Sequence, residues 1–247
     1  MITMRRRITV DAWIAAGNQR AWPNATMRLI LVRHFKTCSN AAGRIIGWGN
    51  SPRSDDWEKD LLFVDQKLRE LGIHFDAIYS SDLERARCTA DYYAGRRNTA
   101  TLNHSGMLNE VNYGTLYHKP KAWVAKNVRE YKTDPDYVFP EGESFRQMRD
   151  RSAAFVRELG LRYDTGTVLI VSHAGVIRGL ICHYLGLDYS SNLKRKVSHR
   201  YIGDFQLEND ACIRYEELGK PSEFIAQGIV VPQTASQEPV GLEQPLH

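Results

Sequence analysis

Two arginines and two histidines carry the chemistry that can be read directly from this chain of 247 residues. Arg28-Leu29-Ile30-Leu31-Val32 leads into Arg33-His34, with Thr37, Ser39 and Asn40 close behind. Ala77-Ile78-Tyr79-Ser80 leads into Ser81-Asp82 and then Arg85. Val168-Leu169-Ile170-Val171 leads into Ser172-His173-Ala174-Gly175. If the three apolar runs lie side by side, the four side chains meet at one spot. Two guanidiniums in a water-poor cleft call for an anion with several oxygens, and phosphate matches their fork geometry. The N–H groups after His173, at the start of a following helix, add a further anion-binding element. A neutral histidine nitrogen held against phosphorus is a competent nucleophile, and the positive surround helps keep that imidazole unprotonated.

The elements that must position these groups follow from the pattern. Short runs rich in β formers read as buried parallel strands, and ligands of such sheets bind beyond the strands' carboxyl ends. A helix is expected near 64–71, stopping at Gly72. A longer one is expected from Phe145, Met148, Ser152, Phe155, Val156 and Leu159, recurring at helical spacing. Ser144 and Gln147 form a capping box at its start, after the Pro140-Glu141-Gly142 turn. Two later strands, 201–207 and 212–215, flank an Asn209-Asp210 turn. Strands alternating with helices imply an α/β fold, a three-layer α/β/α sandwich with a mostly parallel central sheet. Residues 108–143, with Trp123, several tyrosines and three prolines, read as a helical and loop insertion over the site. One domain is expected over 27–218, with an appendage at 1–26 and a flexible tail at 219–247, which has too little apolar content to offset the entropy of ordering.

Taken together, the segments resemble the histidine phosphatase superfamily, also called the phosphoglycerate mutase-like family. Leu31 to Asn40 is similar to its opening Arg-His-Gly signature, and Ser80 to Ala90 to its second motif. Leu108-Asn109-Glu110 with Tyr113-Gly114 resembles the segment that bears the acid, and Glu141 to Ser144 the loop before the long helix. Ser172-His173-Ala174-Gly175-Val176-Ile177-Arg178 matches its closing motif. The resemblance implies that His34 is the nucleophile that becomes phosphohistidine. Arg33, Arg85 and His173 would hold the phosphoryl oxygens, helped by Asn40 and the Ala174 N–H; Thr37 and Gly47 join them as substrate-binding candidates. Glu110 would protonate the leaving alkoxide and then activate water. Such chemistry is mostly positioning plus electrostatics, so no metal or cofactor is expected. The family pattern has glycine after the catalytic histidine, whereas this chain has Phe35. That residue must keep a different φ or turn its ring away from the phosphate.

Within the family the pattern favours a phosphatase over a mutase. Glu110-Val111-Asn112-Tyr113-Gly114 lacks the arginine of the mutase pattern, and 122–129 offers only Lys126 and Arg129, although Asn40, Arg44 and Gly47-Trp48 follow mutase-like spacing. A silent phosphate-binding or scaffold protein on the same fold is the alternative of another class. The expected partner is a small phosphorylated substrate, with Phe35, Trp48, Tyr113, Tyr117 and Trp123 as candidates for an aromatic mouth, and the chain is expected to be a monomer or homodimer. A composition of 43% hydrophobic and 25% charged residues excludes a disordered or fibrous chain. A net charge of +4 is too small for a dedicated nucleic-acid binder, and Arg5 to Arg7 and Lys194 to Lys196 read as solvated faces. The apolar stretch 167–187 is broken by His173, Arg178 and His183, so it reads as a strand and helix rather than a membrane span. Cys38, Cys88, Cys182 and Cys212 have no C-x-x-C spacing, which points to reduced thiols in a cytoplasmic protein.

Overall fold

Leu29, Ile30, Leu31 and Val32 are all fully buried, as a strand covered on both faces requires. They belong to β1 (Thr26–Arg33) in a computed structural model that describes residues 26–97 and 101–219. The expected N-terminal appendage, apart from Thr26, and the expected tail, apart from Gly219, lie outside the described residues. In chain order the elements are β1, α1 (Cys38–Ala41), α2 (Trp57–Glu70), β2 (Ala77–Ser80), α3 (Glu84–Gly95), β3 (Leu102–His104), α4 (Lys121–Asn127), α5 (Phe145–Arg162), β4 (Thr167–Ser172), α6 (Ala174–Tyr184), α7 (Tyr189–Asn192), β5 (Ile202–Glu208) and β6 (Ala211–Glu217).

The sheet runs β3-β2-β4-β1-β5-β6. β3, β2, β4 and β1 are mutually parallel, and β5 is antiparallel to both of its neighbours. Alternate side chains of β1 divide between two cores, as the two-residue period of a strand dictates. Leu29 and Leu31 join Phe145, Met148 and Val156 of α5 and Val176, Ile177 and Leu180 of α6. Ile30 and Val32 join Leu61, Val64 and Leu68 of α2 and Ala86, Ala90 and Tyr93 of α3. These are the three layers. α2 begins earlier than the periodicity suggests, at Trp57, because Glu58 and Asp60 occupy its first turn, where a helix favours acidic residues. The capping box at Ser144 is present with both of its bonds. Asn209 and Asp210 both take positive φ, the conformation a two-residue hairpin turn demands.

Register is what brings the site together. Arg33 lies opposite Ser172 and Ser80 opposite Val171, so β1, β2 and β4 end at the same level. The His34 N–H continues the ladder to the Ser172 carbonyl (3.0 Å), and Ser81 N–H continues it to Val171 (3.2 Å). Segment 108–143 folds over this edge through two 3-10 turns and α4, with Tyr113, Tyr131 and Phe139 buried against Phe145. No helix among the described residues is long and apolar enough to cross a membrane.

Candidate active site

His34 sits just past β1, 2% exposed. Its Nδ1 lies 2.5 Å from the Phe35 carbonyl oxygen, which can only accept, so Nδ1 carries the proton. The Nε2 lone pair is then the one available for attack. Burial holds this imidazole well below the ordinary histidine value, and Arg85, His173 and Arg33 push in the same direction. It is therefore a neutral base near pH 7.

His173 is oriented by a directional chain. Asp82 N–H and Ser81 O–H both donate to Asn109 Oδ1, at 3.0 and 2.7 Å. With its hydrogen committed, Ser81 Oγ accepts from His173 Nε2 at 2.8 Å. His173 Nδ1 is thereby turned away from Ser81, and it makes no hydrogen bond to any described residue although it is buried. The two imidazole rings are 5.0 Å apart. Arg33 Nε and Arg85 Nε are likewise buried without a partner among the described residues. Buried donors are normally satisfied, so the two guanidinium N–H groups suit a ligand that brings several acceptors, and His173 Nδ1 joins them as a donor only when it takes up a proton. Burial lowers both guanidiniums to about 10, which leaves them charged at neutral pH. Arg33 is held by the Val197 carbonyl (2.5 Å), and Arg85 by those of Gly47 (2.7 Å) and Gly49 (2.9 Å). Gly47 takes φ +51°, the left-handed region suited to glycine, so the loop can present that carbonyl.

Glu110 faces the same pocket, which Arg33, His34, Asn40, Gly47, Arg85 and Ala174 also line. Its carboxylate accepts from the N–H groups of Val111 (3.1 Å) and Gly175 (3.2 Å), the latter at the start of α6. A Cβ on Gly175 would lie 2.0 Å from Glu110 Oε1 and 3.2 Å from Met148 Sδ. Gly175→Ala is therefore expected to displace the carboxyl by about an ångström and to lower kcat for an alkyl phosphate by about 10²-fold. An unchanged kcat would show that Glu110 does not act from this position.

Thr37 is not among the pocket residues. It is fully buried, and its hydroxyl caps α1 and donates to Asn40 Oδ1 (3.0 Å). Thr37 N–H reaches the same oxygen, so the Asn40 NH₂ is the end left to donate. Phe35 is not part of an aromatic mouth. It is 4% exposed, keeps a negative φ, and packs edge-on to Trp57 in the second core with the rings 5.4 Å apart. Trp48, Tyr117 and Trp123 are about half exposed and outside the lining, which leaves Tyr113 as the one expected aromatic in the pocket wall. Trp48 instead donates through Nε1 to the Glu110 carbonyl (2.6 Å).

Sequence reasoning missed several groups. Lys121, Lys132 and Arg178 line the pocket from three separate segments. Lys132 stands at φ +56°, and burial together with Arg178 and Lys121 brings its ammonium down to about 7. Arg151 on α5 holds the Glu110 segment through the carbonyls of Asn109 (2.7 Å) and Glu110 (3.1 Å) and pairs with Glu143. His199 donates from Nδ1 to the His34 carbonyl (2.8 Å). The basic residue inside the closing motif was a visible signal for Arg178; the others had none.

His199, half-buried, is also held low, by desolvation and then Arg33, so three histidines stay neutral in the fold. Their unfolded value is about 6.5, so on acidification the unfolded chain binds protons first. The stability they contribute is complete above pH 6.5 and is lost as pH falls below it. Each histidine removes about 1.4 kcal/mol per pH unit in that window. Urea midpoints measured from pH 7.5 to 5 are expected to fall steeply below 6.5; a flat profile would contradict neutral burial.

A mostly parallel sheet with Arg33-His34 and His173 just at or past its level strand ends, and Arg85 in the first turn of α3, defines an α/β protein with an anion-suited cleft. The chain belongs to the histidine phosphatase superfamily (branch 1), which it matches over residues 29–212. It is 31% identical over 170 residues to phosphoserine phosphatase 1 of Hydrogenobacter thermophilus, covering 66% of this chain and 79% of the relative. It is 29% identical over 171 residues to the 2,3-bisphosphoglycerate-dependent phosphoglycerate mutase of Bartonella tribocorum, covering 65% and 82%. The alpha-ribazole phosphatase of Shigella flexneri superposes with a TM-score of 0.65 at 25% identity, covering 75% of this chain and 93% of that one.

Proposed function

We propose that the protein is a metal-independent phosphomonoester hydrolase acting through a phosphohistidine. The observation that carries this is the tautomer of His34: Nδ1–H is bound to the Phe35 carbonyl, with Nε2 left free among Arg33, Arg85 and His173. His34 Nε2 attacks phosphorus as the P–O bond to the leaving group breaks, and the Glu110 carboxyl gives its proton to the departing oxygen. Glu110, now a carboxylate, takes a proton from water as that water attacks the phosphohistidine. Inorganic phosphate leaves and His34 is restored. The arginines neutralise equatorial charge throughout, the role a cation fills elsewhere. A reducing cytoplasm suits the four unpaired thiols.

The test is turnover of p-nitrophenyl phosphate in excess EDTA, with acid-labile phosphate trapped on the protein by rapid quench. Turnover without trapped phosphate would remove the covalent intermediate, and neither signal would leave an anion-binding scaffold. Lys121, Lys132 and Arg178 beside the pocket, with the mutase among the relatives, favour mutase-type transfer as the second reading. Conversion of 3-phosphoglycerate to 2-phosphoglycerate without net phosphate release would establish it.

A further inference from the structure

The ladder that carries β1 into the site reaches the His34 N–H, and the next backbone donor, Phe35 N–H, needs a partner from elsewhere. It finds one in the Thr89 hydroxyl of α3, at 3.1 Å. Thr89 is fully buried, and its own O–H donates to the Arg85 carbonyl one helical turn earlier, at 2.7 Å. With that hydrogen committed, the hydroxyl has only lone pairs to offer Phe35. One side-chain oxygen therefore joins the backbone that follows the nucleophile to the backbone that bears a phosphoryl-facing arginine.

The peptide it grips governs how His34 is held. At the other end of the same His34–Phe35 peptide, the His34 carbonyl accepts from His199 Nδ1 at 2.8 Å, so both polar ends of that plane are fixed. The next carbonyl along the chain, that of Phe35, is the one that holds Nδ1–H. Between these two planes only φ and ψ of Phe35 can turn. The Phe35 ring restricts that rotation too. It packs against Trp57, and the Arg53 guanidinium lies over both rings, 5.4 Å from Phe35 and 4.4 Å from Trp57. Glycine, the residue of the family pattern at this position, would leave the torsion open.

We propose that Thr89 is a positioning residue for phosphoryl transfer: acting through the Phe35 backbone, its hydroxyl holds the His34 tautomer that leaves Nε2 free, and keeps that nitrogen in register with Arg85. The kinetic consequence rests on the hydrolase reading, whereas the effect on the tautomer rests on the hydrogen-bond chain alone.

The test sets Thr89→Val, which keeps the shape of the side chain and deletes the hydroxyl, beside Thr89→Ser, which keeps the hydroxyl. Rapid-quench phosphorylation by p-nitrophenyl phosphate is expected to slow about tenfold or more in Thr89→Val, with KM within about threefold of wild type. Thr89→Ser is expected to keep the wild-type rate within about threefold. Side-chain ¹⁵N NMR spectra carry the readout that packing alone does not move. In the wild type the His34 signals are expected as a protonated Nδ1 and a bare Nε2. In Thr89→Val they are expected to converge as the Nε2–H tautomer becomes populated, and in Thr89→Ser to stay apart. A wild-type phosphorylation rate in Thr89→Val overturns the proposal. So does an equal loss in both variants, a loss confined to KM, or a slowed rate with the ¹⁵N pattern unchanged. If urea unfolding shows that Thr89→Val does not fold, Thr89→Ala set against Thr89→Ser repeats the same deletion at smaller volume. If the wild-type protein does not turn over p-nitrophenyl phosphate, the hydrolase reading fails by itself and the spectra decide the positioning role. Convergence on loss of the hydroxyl, absent in Thr89→Ser, upholds it; an unchanged pattern overturns it.

Discussion

His34→Ala is expected to lower kcat for p-nitrophenyl phosphate by about 10⁴-fold or more, while inorganic phosphate still binds. The asymmetry follows from how the site is divided. Arg33, Arg85 and His173 take their positions from Val197, from Gly47 and Gly49, and from Ser81, none of which depends on the His34 imidazole. The charged receptor therefore survives the substitution, but no atom remains to accept the phosphoryl group. Water would have to take that place without a base held against it. The truncation leaves the Phe35 carbonyl without its donor, at a cost of about 1–3 kcal/mol, so urea unfolding belongs beside the kinetics. Phosphate affinity is read by calorimetry, and phosphoenzyme by acid-labile label. A variant that keeps wild-type turnover would remove His34 from the mechanism, and one that loses phosphate binding as well would assign it to binding.

Much of this site could be read in the sequence because its anchors are strand ends. A run such as Leu29 to Val32 fixes a buried strand, and a buried strand fixes where the next two residues emerge. Arg33-His34, Ser81 with Arg85, and Ser172-His173 are local features that only needed their strands to be neighbours, and the parallel register supplies that. The groups that were not legible depend on distances the chain does not encode locally. Lys121, Lys132 and Lys194 belong to three segments, and each alone resembles an ordinary solvated charge. They share a cavity only because the 108–143 segment folds back over the sheet edge. Thr37 and Phe35 show the converse. Their positions beside the reacting groups suggested contact with substrate, but the turn after β1 rotates Thr37 onto Asn40 and sends Phe35 into the core against Trp57. Sequence proximity placed the backbone correctly and left side-chain direction to the packing.

That same distinction between position and direction shapes what Glu110 should do. Glu110→Gln is expected to lower kcat for an alkyl phosphate by about 10²–10⁴-fold, the range of general acid–base catalysis. An alkoxide is a poor leaving group, so the loss falls on the first step and little phosphoenzyme accumulates. p-Nitrophenolate leaves without a proton, so His34 is still phosphorylated at nearly the wild-type rate. Hydrolysis of the phosphohistidine then lacks its base, and the protein stalls after one turnover. Stopped-flow traces should therefore show a burst of p-nitrophenolate equal to the protein concentration, followed by a steady state slowed by a similar factor. Gln keeps an oxygen that can accept from Gly175 N–H and Val111 N–H, so the change removes the proton-transfer group while leaving its anchor points usable. Gly175→Ala should follow the same dependence on leaving group if it acts by moving Glu110. A Glu110→Gln protein that loses both substrates equally, with no burst, would place the carboxylate in binding rather than proton transfer. One that loses neither would show that water enters with another base.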